Sequence, residues 1–111
     1  MNLEILQIAE DAFKYGYVVA LRHFPKCERF TLVADIKREM VQIIKLIIRS
    51  NKSRETRTAH LRDLDTELDV LRSYVRMSFE MGFLPPKQYE EWSKRINEIG
   101  KRLGGWIKKP F

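Results

Sequence analysis

The stretch LRDLDTELDVLRSYVRMS, residues 61–78, leaves this chain little choice of fold. Leu61, Leu64, Leu68, Leu71, Val75 and Ser78 recur in a strict three-four alternation. On a helix that spacing draws one narrow apolar seam, of the kind that packs in a left-handed bundle. A strand would scatter the same residues over both of its faces. A helix with such a seam needs partners of similar length, and the rest of the sequence offers three.

The first predicted helix runs from about Leu3 to His23, with Leu6, Ala9, Phe13, Tyr17 and Ala20 inward, and ends at Phe24-Pro25. The second runs from about Glu28 to Ser50, with Leu32, Ile36, Met40, Ile43, Ile44, Ile47 and Ile48 as its apolar face. RSNKSRET then breaks the periodicity and offers Asn51 and Ser53 as turn or capping residues. The seam helix spans about Glu55 to Met81, with Gly82 as a C-terminal cap. The fourth starts near Pro86 and turns Tyr89, Trp92, Ile96, Ile99, Leu103, Trp106 and Ile107 inward. The four prolines fall between or after these segments, and no strand alternation or linker appears. Short connections make sequence neighbours antiparallel. Residues 1–111 are therefore expected to form one all-α domain, an up-down-up-down four-helix bundle.

Helix two carries more apolar surface than one seam requires, with Val41 and Ile48 toward its flank. Either the helix is generously buried or the flank is a subunit interface. GKRLGGWIKKP, residues 100–110, raises a second packing question. Gly100 and Gly104 lie at about 40° and 80° from Ile96, on the margin of the apolar face, and stack four apart. Two missing side chains would admit another backbone or a large ring. Gly105 falls outside. The alternative is that Gly104-Gly105 frays the helix end, although Trp106 and Ile107 continue the apolar face beyond it.

The formal net charge is +6, with +4 in each of residues 28–54 and 85–111, 0 in 1–27 and −2 in 55–84. On helix four, Lys94, Lys101 and Lys108 are seven apart, and so are Arg95, Arg102 and Lys109. Seven residues make about two turns, so these form two parallel columns opposite the apolar face. Helix two repeats the theme with Arg38, Lys45, Arg49 and Lys52, and Arg54 and Arg57 extend it. Such columns are either solvated faces or one continuous surface for phosphates. In helix three, Arg72 and Arg76 stand among Asp69 and Glu80 at salt-bridge spacing. They are either a self-neutralised face or a contact for a polyanion or another subunit.

Catalysis finds little footing. His23 and His60 have no partners at ligand or catalytic spacing, and Cys27 lacks a third member beside His23. No Glu-x-x-His pair or phosphate-binding glycine loop is present. No metal, cofactor or enzymatic activity is expected. Acids inside MNLEILQIAEDAF argue against a signal peptide, and no apolar run is long enough for a bilayer. A soluble cytoplasmic protein is the expectation.

FPKCERFTLVADIKREM (residues 24–40) resembles small bacterial four-helix-bundle proteins, including those encoded in intervening sequences of large-subunit ribosomal RNA genes. LDVLRSYVRMSFEMGFLPPKQYEEWSKRINEIGKRLGGWIKK (residues 68–109) resembles one branch, the accessory variability determinant, Avd, of diversity-generating retroelements. G-x-x-L-G-x-W-I is present as Gly100, Leu103, Gly104, Trp106 and Ile107, and LRxxxR as Leu71, Arg72 and Arg76. The resemblance implies a non-catalytic bundle assembled into a homopentameric barrel. It also implies binding to a reverse transcriptase and to RNA or DNA during mutagenic copying of a template, with Arg72 and Arg76 as candidate contacts. The alternative is a stand-alone oligomeric module of the intervening-sequence type.

Overall fold

A computed structural model of the chain describes residues 2–108. Four helices account for most of it: α1 (Leu3–Val18), α2 (Leu32–Lys52), α3 (Arg57–Glu80) and α4 (Pro86–Lys108). Two short 3₁₀ turns, Ala20–His23 and Lys26–Glu28, link α1 to α2. Among the described residues there is no strand. α1 packs on α2 and α4, and α3 packs on α2 and α4, so the helices form a ring in chain order. α2 and α4 occupy opposite corners of that ring.

The helix ends show why the chain turns where it does. The Asn2 side chain caps α1 by accepting from the Ile5 N–H at 3.2 Å. Asn51 Nδ2 donates to the Asn2 carbonyl at 3.1 Å, which fastens the start of α1 to the end of α2. Gly82 adopts φ +80°, a left-handed conformation that favours glycine. Its N–H reaches the Phe79 carbonyl at 3.0 Å and the Phe83 N–H reaches the Ser78 carbonyl at 2.9 Å. That pair closes α3 as a Schellman cap. α4 opens on Pro86, where a missing N–H costs nothing.

The α3 seam is buried as predicted, from Leu61 through Ser78. The other helices need corrections. Tyr17 is 45 % exposed, because the buried face of α1 runs through Ile5, Ala9, Ala12 and Gly16 and leaves Tyr17 at its edge. Beyond the helix the 3₁₀ turn buries Ala20 and Leu21. On α2 the buried face is rotated: Val33 and Leu46 lie in the core, Leu32 and Ile44 are partly buried, and Ile48 is 39 % exposed. Tyr89 is partly buried, and Ile107 is exposed near the open end of α4. Arg57 is not a surface cation. It is buried, its Nε donates to the Ser50 carbonyl at 2.6 Å, and its guanidinium lies 5.7 Å from the Trp106 ring centre. A cation at the C-terminal end of α2 also complements that helix's dipole.

One close approach in the core carries no signal in the sequence pattern. Gly16 of α1 faces the fully buried Trp92 of α4, whose Cζ2 would lie 2.7 Å from a Cβ at that position. The glycine is what lets the indole sit against the α1 backbone.

Candidate nucleic-acid and partner interface

The two basic columns of α4 have different surroundings. Lys94, Lys101 and Lys108 lie on the side of α4 away from the core, and all three are exposed. Among the described residues none of them pairs with a carboxylate. The arginine column instead lies along the α1 side. Arg102 Nη1 meets Glu4 Oε1 at 2.5 Å. Arg95 lies 4.7 Å over the Tyr15 ring and 3.8 Å from Glu91. Burial and then Glu91 push the Tyr15 hydroxyl above its ordinary pKa, while Arg95 pulls it down. The expectation of two equivalent outer columns is therefore corrected: one is free, and the other fastens α4 to α1. Lys109, its last member, lies outside the described residues.

α2 presents Lys45, Arg49 and Lys52 without ion partners among the described residues. Arg38 pairs with Asp35 at 2.5 Å. Because α2 and α4 stand at opposite corners, their basic residues do not form the single continuous surface that spacing alone suggests. Each chain has two cationic faces.

Arg72 and Arg76 also divide. Arg72 donates from Nε to Asn97 Oδ1 at 3.1 Å and from Nη1 to Asp69 Oδ1 at 2.9 Å. Its guanidinium lies over Gly100, where any Cβ would collide with it. This arginine bridges α3 and α4. Arg76 is exposed and only 3.8 Å from Glu80, so it is the more available of the two. Both line a shallow groove with Tyr89, Ser93 and Asn97.

The two glycines of the predicted notch differ in what faces them. Arg72 fills the space at Gly100, whereas Gly104 and Gly105 have nothing within 4 Å of a would-be Cβ among the described residues. The helix continues through both to Lys108, so they do not fray it. Trp106 is buried in the chain's own core, where it serves helix packing. Val41 and Ile48, in contrast, are 47 % and 39 % exposed on the flank of α2. They flank Ile44, which with Phe13, Tyr17 and Val18 of α1 lines an apolar groove between the two helices.

Between α2 and α3, Glu39 faces Glu67. Burial, a hydrogen bond to Glu67 and that residue's charge raise the Glu39 pKa to about 8. Its inner Oε2 has no donor within reach unless the two carboxyls share a proton. No group of three or more metal-ligating side chains exists among the described residues. No described helix is long and apolar enough to cross a membrane.

With the all-α bundle and its charge distribution in view, comparison with known families is decisive. The bAvd-like family model matches residues 3–110. The chain belongs to the bAvd-like family. Comparison with curated proteins found no match. The family match spans all four helices, so it covers both the free lysine column and the exposed α2 flank. It agrees with the resemblance carried by Leu71, Arg72, Arg76 and the Gly100–Ile107 stretch. Membership places the chain among Avd-type accessory proteins, a class that is generally non-catalytic.

Proposed function

We propose that the protein is a non-catalytic accessory factor of a diversity-generating retroelement, binding the reverse transcriptase and nucleic acid during mutagenic copying. The observation that carries the nucleic-acid half is the lysine column of α4, three cations on one line with no carboxylate partners among the described residues. Unpaired cations at helical repeat distance suit phosphates and ignore base identity. Arg76 is a candidate contact for the polymerase, and Arg72 would support it through the α3–α4 bridge. The family class supports a role in binding.

The exposed apolar flank of α2 supports self-association, and a homopentamer is the assembly proposed on family grounds. Surface of this kind on a small domain gains from being covered by a second copy. Oligomerisation would repeat the lysine column in every subunit and multiply weak phosphate contacts.

A salt titration against a structured RNA and an unrelated DNA tests the reading. Lys94→Gln/Lys101→Gln/Lys108→Gln should lower the slope of log affinity against log salt by about 0.7–0.9 for each phosphate no longer neutralised. Arg95→Gln/Arg102→Gln should change the slope less and loosen α1 from α4. An unchanged slope in the lysine variant would make the column a solvated face.

A further inference from the structure

At the end of the bundle where α1 gives way to α2, a cavity of about 390 Å³ opens to solvent. Leu21, Phe24 and Val33, all buried, form its apolar floor, with Pro25 beside them. Tyr17 forms one wall and is 45 % exposed. The rim carries Arg22, Lys26, Arg29 and Lys37, and among the described residues no acid lines the cavity. Nor does any of these four cations pair with a carboxylate among the described residues. The acid nearest in sequence, Glu28, accepts from the Thr31 hydroxyl at 2.5 Å and from the Leu32 N–H at 3.4 Å. Lys37 instead lies 4.9 Å over the Tyr17 ring.

We propose that this cavity receives one unpaired nucleotide of a single-stranded RNA, a site distinct from the lysine column of α4. The proposal rests on the nucleic-acid reading above and gives it a location. The volume falls within the range of small-ligand sites, about 300–1,000 Å³. An apolar floor beside an aromatic ring suits a base, and a ring of four cations suits the phosphates on either side of it. An acidic peptide would satisfy the cations and leave the floor empty. Lys37 now occupies the Tyr17 face. Its flexible stem lets the ammonium swing to an incoming phosphate and give the ring to the base. A duplex holds its bases in the stack and cannot offer one, so the cavity discriminates single strands from double strands. The α4 column does not.

Fluorescence anisotropy with a labelled oligouridine of about ten nucleotides provides the test, with an abasic strand of equal length and a polyglutamate peptide as comparators. Tyr17→Ala should weaken oligouridine binding about 5- to 150-fold, and Tyr17→Phe should retain it, since stacking needs the ring and not the hydroxyl. Arg22→Gln/Lys26→Gln/Arg29→Gln should lower the salt slope by about 0.7 per phosphate. Circular dichroism and light scattering on each variant check that fold and assembly survive; these side chains lie at the rim, outside the core. Equal binding of the abasic strand, or loss in Tyr17→Phe equal to that in Tyr17→Ala, would overturn the base-stacking site. So would Tyr17-dependent binding of polyglutamate, which would make the cavity a peptide site. The α4 lysine variant is titrated in parallel. Loss there with full binding in the cavity variants overturns the cavity and keeps the column, and the reverse result separates them the other way.

Discussion

Replacing Gly16 with alanine adds one methyl group where α1 packs directly on the Trp92 indole. The new Cβ would stand 2.7 Å from Cζ2, 3.0 Å from Cε2 and 3.1 Å from Nε1 of Trp92. Carbon atoms rest at about 3.5–4.0 Å, so the shortfall is roughly an ångström. Trp92 is fully buried and its ring cannot step aside into solvent. Either α1 moves off α4 or the indole leaves its rotamer, at about 1–3 kcal/mol. Alanine returns up to about 1 kcal/mol of helix propensity. The net expectation is a loss of about 1–2 kcal/mol, which in a domain of this size lowers the melting temperature by about 4–8 °C. Gly105 serves as the control, being exposed, helical and without neighbours within 4 Å among the described residues. Gly105→Ala should gain up to about 1 kcal/mol from propensity alone. Thermal and urea melts at several protein concentrations measure both, since self-association would make the midpoint depend on concentration. Gly16→Ala melting at or above the parent would refute the close packing of α1 on α4.

Three further outcomes are expected. Arg57→Met should destabilise by about 1–3 kcal/mol in urea melts, because it leaves the buried Ser50 carbonyl without its donor. Glu39, raised to about 8 by burial and Glu67, binds its proton more tightly folded than unfolded. Stability from this group is therefore full below the ordinary carboxylate range and lost as pH rises toward 8; Glu39→Gln should flatten that decline in melts from pH 5 to 9. If the proposed assembly forms through the α2 flank, Ile48→Glu should lower the mass in light scattering, and Gly104→Leu should weaken assembly more than Gly105→Leu; a monomer mass for the parent, or an unchanged mass in all three variants, would overturn that assembly.

The α3 seam is legible residue by residue because polar residues separate its apolar positions and leave one possible phase. α2 is less so, since its apolar sector is wider than the face it buries. Sequence periodicity cannot decide which edge of such a sector turns inward: Leu46 is buried at one edge, whereas Ile48 is 39 % exposed at the other. The same limit applies to the charged columns. Spacing shows that Arg95 and Arg102 share a line with Lys109, but not that Glu4 and Tyr15 lie across from the arginines on another helix. Arg57, sitting in a polar stretch, carries no local sign of burial, and neither does the pairing of Gly16 with Trp92. Both depend on which helices become neighbours. The cavity beside Tyr17 is hidden in the sequence for a related reason: α1 buries the face of Ala9, Ala12 and Gly16, which leaves at its edge a ring that the helical pattern assigns to the core.

The placement of α2 and α4 at opposite corners makes the chain a two-sided cation. A strand lying on one side leaves the other side's charge unneutralised and still able to hold a second strand. Under the proposed role such a particle is a bridge: it can bring a template and a newly copied strand, or two distant parts of one RNA, within a bundle's width of each other. Its shortest dimensions are 24 and 20 Å, about three Debye lengths at physiological salt, which are about 8 Å each. Charges held that far apart are largely screened from one another, so each side can hold its strand independently. α3, which carries Asp63, Asp65, Glu67 and Asp69, lies between the two cationic corners as a divider.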